Sequence, residues 1–149
     1  MSGSNTLLVN IRRIIKLYDN MLKPVCEDYG LMPVEAIIIS FLHNHPGRDT
    51  AAEIVELRML SKSNVSQAVE SLIQKELLLR RQDTEDRRKI HLSLTEKADP
   101  ITREIEKVWK SFKNKIFRGF TEEEEKQFLW FNERIVQNTI MEIERGNDA

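Results

Sequence analysis

The stretch Ser61 to Lys75, SKSNVSQAVESLIQK, constrains this chain more than any other. Its apolar residues Val65, Ala68, Val69, Leu72 and Ile73 recur at i, i+3, i+4, i+7 and i+8, which on an α-helix gathers them into one stripe that must be buried. At about 100° per residue the opposite face carries Ser63, Gln67, Glu70 and Gln74, flanked by Asn64, Ser66 and Ser71. A face meant only for water is usually filled with long Lys and Glu, which are good helix formers, whereas Ser and Asn are mediocre ones. Short hydrogen-bonding side chains here mark a surface that another molecule approaches closely. Ser61 is the expected cap, Leu60 and Val65 the staple across it, and Lys62 adds charge to first-turn amides that already favour an anion such as phosphate.

The flanking segments give this helix a setting. Thr50 to Glu53, TAAE, has the form of a capping box that opens a short helix through Ile54, Val55 and Leu57. About three residues then lead to Ser61, so two short helices are tightly joined in the manner of a helix-turn-helix, although no Gly marks the turn. On the other side lie Leu77 to Gln82 and Lys89 to Leu94. Ile90, Leu92 and Leu94 alternate with His91 and Ser93, the period of a half-buried strand. The two segments predict a hairpin whose charged tip, Asp83 to Arg88, is a wing by position rather than by turn chemistry.

Long helices bracket this middle part. From about Asn5 to Tyr29, two heptad-spaced rows, 7/11/14/18/21/25 and 8/15/22/29, make an apolar stripe wider than one neighbour requires, so part of this helix should meet another chain. Pro24 inside it should bend it. Pro33 opens a nearly all-apolar helix to about His43, central to the core, before Pro46 and Gly47 break the chain. Thr95 or Asp99 should cap a helix to about Arg118. Thr121 to Glu124 should cap a last one to about Glu144, with Phe128, Phe131, Ile135, Thr139, Ile140 and Ile143 inward. Five Gly and four Pro are too few for many short strands, so the fold class is mainly α with one small β-hairpin.

Charge is uneven along the chain. Residues 58–92 hold eight Lys or Arg against five acids, and residues 120–149 hold three against eight, so an anionic partner fits the middle and not the end. A single cysteine, Cys26, leaves no internal disulfide; its place on the apolar side of the first helix suits a buried structural thiol. With no leader-like or membrane-spanning apolar run, the expectation is a soluble, cytoplasmic protein. No P-loop, dinucleotide glycine pattern or recognisable His/Asp/Ser spacing points to an enzyme, and no cofactor or metal is expected. His43 and His45, two apart, do not share a helix face, which favours a helix end over a metal site. Asn64-Val65-Ser66 matches a glycosylation sequon by chance.

The order helix, helix, helix-turn-helix, charged hairpin and two long helices resembles the MarR family of bacterial winged-helix regulators. The sharpest part is DRRKIHLSLT, Asp86 to Thr95, in which Asp86, Arg88, Leu94 and Thr95 stand at the offsets of that family's wing signature. LSKSNVSQAVESL is similar to its recognition helix, and HPG precedes the short third helix. Glu76 and Ala98 stand where the family usually has Gly. The resemblance implies one domain over residues 1–149: a winged helix-turn-helix at 31–95, with dimerisation helices at 5–29 and 96–145. It further implies a homodimer on pseudo-palindromic double-stranded DNA, usually a repressor relieved by a small ligand or a stress signal. Lys62 is then the expected phosphate contact, and Ser63, Asn64, Ser66 and Gln67 approach base edges. Arg87, Arg88 and Lys89 belong to the wing, its arginines aimed at the minor groove, with Asp86 holding Arg88. Tyr18, Trp109 and Phe112 are candidates for an effector pocket. The competing expectation is a winged-helix protein-interaction module that does not read DNA, with the acidic last helix as its contact surface.

Overall fold

The helices that start at Pro33, Ala51, Lys62 and Glu122 each begin where a side chain or a proline takes care of first-turn amides. A computed structural model describes residues 3–148, in two compact units, one ending at Phe112 and one beginning at Lys113. The first holds α1 (Gly3–Tyr29), α2 (Pro33–Asn44), α3 (Ala51–Arg58) and α4 (Lys62–Gln74). An antiparallel hairpin follows, β1 (Leu78–Gln82) and β2 (Ile90–Leu94), with Arg80 opposite Leu92 and Arg81 opposite His91. A single 3-10 turn (Glu96–Ala98) leads into α5 (Asp99–Ile116), whose last turn falls in the second unit with α6 (Glu122–Asp148). This is the mainly α, winged helix-turn-helix class expected from the sequence.

The core of the first unit sits on α2. Ile38, Ile39 and Phe41 are fully buried there against Ile54 of α3, Val65 and Leu72 of α4 and Leu78 of β1, while Leu22 and Val25 of α1 and Ile101 and Ile105 of α5 join the same cluster. An apolar α2 is thus explained by burial on nearly every side. One acid shares this interior: Glu35 is only 1% exposed. Its carboxylate accepts from Lys75 Nζ at 2.8 and 2.9 Å, from Ser71 Oγ at 3.0 Å and from the Met32 amide at 2.8 Å. Lys75 also donates to the Gly30 carbonyl at 2.8 Å, so the end of α4 is tied to the turn between α1 and α2.

Several sequence expectations change in detail. α1 runs through Pro24 to Tyr29, the end expected for it. Thr50 accepts from the Glu53 amide as a cap, but its hydroxyl bonds the Glu53 carboxylate, so the reciprocal half of the box is absent there. Thr95 does not cap with its side chain; its hydroxyl donates to the Glu76 carbonyl at 2.7 Å, and α5 starts at Asp99. Glu76 takes the left-handed conformation, φ 62°, that the family's usual Gly adopts without strain.

In the second unit Thr121 and Glu124 form a complete capping box, the Thr121 amide donating to Glu124 at 2.8 Å and the Glu124 amide to Thr121 Oγ1 at 3.1 Å. Phe117 packs edge-on against Phe120 and Phe128. The expectation that Phe128, Phe131, Ile135, Thr139, Ile140 and Ile143 face inward is corrected: all are exposed. Their helical periodicity recorded a surface to be covered, and the single chain does not cover it. Among the described residues no helix is long and apolar enough to cross a membrane.

Candidate nucleic-acid interface

α4 is set in place by its entry turn and its buried stripe. Met59 supplies the left-handed residue, φ 54°, that ends α3, and the Leu60 amide closes back on the Val55 carbonyl at 3.2 Å. Ser61 then caps α4, its Oγ accepting from the Asn64 amide at 3.1 Å. With Val65, Ala68, Val69 and Leu72 buried, Lys62, Ser63, Asn64, Ser66, Gln67, Glu70 and Gln74 are all exposed. The polar face expected from the sequence is therefore open along the helix. Arg80 of β1 makes two bonds to the Glu70 carboxylate, the longer at 3.2 Å, which joins this face to the hairpin and neutralises its one acid.

The wing carries its cations outward. Arg87, Arg88 and Lys89 are exposed, and the Arg88 side chain is 95% exposed. Asp86 does touch Arg88, but chiefly at the backbone: Oδ1 accepts from the Arg88 amide at 3.0 Å, while the guanidinium Nε stands 3.7 Å away. Asp86 thus shapes the tip more than it grips the side chain. The residue that organises the tip is Asp83, which the sequence reading passed over. Its Oδ2 accepts from the amides of Glu85 at 3.0 Å and Asp86 at 2.8 Å, an Asx turn in place of the missing Asn-Gly signal. Asp83 Oδ1 meets His91 Nε2 at 2.7 Å, and the His91 bond together with the two amides holds the Asp83 carboxyl well below the usual carboxylate range. Asp-x-x-Asp before the arginines was the available signal; the approach of His91 was not visible, because it depends on strand register.

Away from these elements, the three aromatic candidates do come together. Tyr18 of α1 meets Phe112 edge-on at 5.1 Å and Trp109 at 6.0 Å between ring centroids. Tyr18 and Trp109 line a cleft of about 530 Å³ with Leu22, Ile37 and Ile105, and Arg58, His43 and Glu106 are its charged or titratable groups. Phe112 is buried and is not among the lining residues. Burial, followed by the charge of Asp19, pushes the Tyr18 hydroxyl upward, so it stays a neutral hydrogen-bonding group.

Residues 29–89, the span from the end of α1 to the wing tip, match the profile of the MarR family. Over 136 residues the chain is 29% identical to the HTH-type transcriptional repressor MdtR of Bacillus subtilis strain 168, covering 89% of this chain and 86% of that protein. The crystal structure of transcriptional regulator PA3341 superposes with a TM-score of 0.77 at 25% identity, over 91% of this chain and 96% of that one. Over residues 29–89 the chain is similar to the MarR family. Staphylococcus aureus MarR in complex with salicylate and kanamycin shares the fold, with a TM-score of 0.76 at 17% identity and 93% of each chain covered.

Two further groups in this protein have defined surroundings. His43 Nε2 lies 2.7 Å from Glu106 of α5, whereas His45 stacks on Phe41 at 4.5 Å and its Nδ1 meets the Phe41 carbonyl at 3.0 Å. The two imidazoles serve different contacts. Among the described residues no cluster of His, Cys, Asp or Glu is placed to hold a metal. Cys26 is buried, and burial first, then the carboxylates of Glu35, Asp19 and Glu27, push its thiol upward, which disfavours the reactive thiolate.

Proposed function

We propose that this protein is a transcriptional regulator of the MarR kind, a homodimeric repressor that binds pseudo-palindromic duplex DNA and is released by a small ligand. The observation that carries the reading is the exposed Ser63, Asn64, Ser66 and Gln67 face of α4 beside a hairpin tip bearing Arg87, Arg88 and Lys89. Short side chains let a helix settle against base edges in the major groove, where Gln67 offers a bidentate amide suited to adenine. Lys62, beside the open first-turn amides of α4, takes a phosphate and fixes register. Arg87 and Arg88 reach the adjacent minor groove, whose narrow A/T stretches concentrate negative potential. Dimerisation is supported by uncovered apolar helix surface in each unit: Leu7, Leu8, Ile11 and Ile15 on α1, and Phe128, Phe131 and Ile135 on α6. Two copies with recognition helices about 34–36 Å apart then read successive grooves on one side of the duplex.

The repressor part follows the name of the Bacillus subtilis relative, and the ligand part follows the salicylate complex of the Staphylococcus aureus one. A cleft of about 530 Å³ lined by Tyr18 and Trp109, with the Arg58 guanidinium for an acidic group, suits a small aromatic acid. Selection of bound duplexes from a random pool tests the DNA reading. Recovered sequences with two inverted half-sites spaced by about one helical turn are expected, and binding should weaken steeply with salt. Salt-insensitive binding to a protein partner, with no enriched duplex, would instead establish the interaction-module alternative. Salicylate quenching of Trp109 fluorescence, with loss of duplex binding over the same concentrations, tests the ligand.

A further inference from the structure

The imidazole of His91, the second residue of β2, is gripped from both sides. Nδ1 lies 2.7 Å from Asp49 Oδ1, in the connection between α2 and α3, and Nε2 lies 2.7 Å from Asp83 Oδ1, at the foot of the wing loop. An ionised carboxylate can only accept, so two such contacts need two N–H donors, and only the imidazolium has both. Both acids sit on anchored segments. The other oxygen of Asp83 is occupied by the Glu85 and Asp86 amides, and the Asp49 backbone carbonyl accepts from the Leu92 amide at 2.8 Å. We propose that His91 is the positioning residue of the wing and that its proton is a latch: the imidazolium ties the loop carrying Arg87 and Arg88 to the α2–α3 connection, and loss of the proton releases that loop.

The charged groups facing the ring are Asp49 from the α2–α3 connection, Asp83 from the wing loop and Arg81, its partner across the hairpin. The two carboxylates outweigh the one guanidinium: the bond to Asp83 first, then that to Asp49, push His91 above the ordinary histidine range. A group whose folded pKa is raised contributes stability that is fully present below its unfolded value, about 6.5, and lost as pH rises through the folded value. Asp83 sets the other limb. Its lowered pKa gives stability present above the ordinary carboxylate value and lost as pH falls through the folded one. The latch is therefore closed below the ordinary histidine value and opens as pH rises through the raised folded one. A neutral ring keeps one donor, turns a lone pair toward the other carboxylate at 2.7 Å, and so repels one of the two elements it had joined.

The structural half of the proposal is independent of DNA; its consequence for duplex affinity rests on the function proposed above. The test is a nitrogen-15 histidine titration of the full chain from about pH 6 to about pH 9, the range of histidine switching, with amide exchange read as protection relative to the unfolded rate. His91 is expected to titrate above the ordinary value, and Asp83→Asn, which keeps the ring, should bring it back down. Protection at the Glu85 and Asp86 amides should fall across the same titration, because the deprotonated ring no longer ties Asp83 to Asp49. In the same range a fluorescein-labelled random duplex should lose affinity for the wild type as His91 loses its proton. His91→Gln should bind it weakly with a flat pH profile. Titration of His91 at or below the ordinary value, or at the same value in Asp83→Asn, would overturn the latch. A raised titration with unchanged protection at Glu85 and Asp86 would overturn the positioning role. Absence of duplex binding at every pH would remove the DNA reading, and the titration would still decide the latch.

Discussion

Gln67 and Arg88 are both exposed, both polar, and assigned different tasks. A bidentate amide on a base edge discriminates, so Gln67→Ala should cost roughly 1–3 kcal/mol on a selected operator and little on random DNA. Arg88→Ala should weaken both duplexes by similar factors and lower the salt slope by about 1, because a groove-potential contact specifies little. Mobility shifts on matched and random duplexes check the pair, and equal losses from Gln67→Ala would refute base reading. A different residue-scale effect lies at Glu76, held at φ 62° after α4. The left-handed region costs an L-residue about 1–2 kcal/mol, while Gly loses about 0.5–1 kcal/mol in extra unfolded entropy. Glu76→Gly should therefore stabilise the protein by about 0.5–1 kcal/mol in urea denaturation, at the expense only of a 3.9 Å surface contact with Lys97.

At the scale of elements, α4 has two anchors of different kinds. Its apolar stripe is buried in the cluster around α2, and its last turn is fixed by Lys75 on the buried carboxylate of Glu35. Removing one partner of such a pair leaves an uncompensated charge inside the fold, which costs more than the pair contributes. Lys75→Met should lower stability by about 2–3 kcal/mol, near the lower end for buried pairs because Lys75 is about a third exposed. Glu35→Gln in the same chain should restore part of it, since the amide oxygen still accepts from the Met32 backbone and its NH2 can donate to the Ser71 hydroxyl. Denaturant midpoints of Lys75→Met, Glu35→Gln and the double variant decide this; additive losses would show that the two side chains do not act together. The hairpin is packed into the same core through Leu78 and Leu92, and is held besides by Arg80 on Glu70 and by His91 between Asp49 and Asp83.

For the whole molecule, the apolar surface left open decides how it associates. Trp130 is 59% exposed and Phe131 54%, on a helix that also exposes Phe128, Ile135 and Ile140. Side chains of this size in one stretch mark an interaction surface, and the symmetric dimer proposed above covers it with a second copy of itself. Phe131→Glu then places a carboxylate in the interface twice, and dimerisation should weaken by about 100-fold or more, corresponding to about 2.7 kcal/mol. Sedimentation equilibrium checks it, with far-ultraviolet circular dichroism to confirm that the helices remain. A wild-type monomer at micromolar concentration would refute the dimer.

The sequence by itself determined what depends on neighbours a few residues away. Helix periodicity, the caps at Ser61 and Thr121, the alternation of β2 and the polar outer face of α4 are all local regularities, and they were sufficient for the element order and for the candidate DNA-reading residues. Tertiary structure decided what depends on which distant groups meet. That Met59 and Glu76 take left-handed turns without glycine, and that Thr95 serves the Glu76 carbonyl instead of capping, follows from the packing of α4 against α2 and of the hairpin behind it. The joining of Asp49, Asp83 and His91 follows from strand register, and one residue of slip would turn the imidazole to the other face of the hairpin. Period and capping are written in adjacent residues, whereas a bond across 42 positions exists only once the chain has closed that distance.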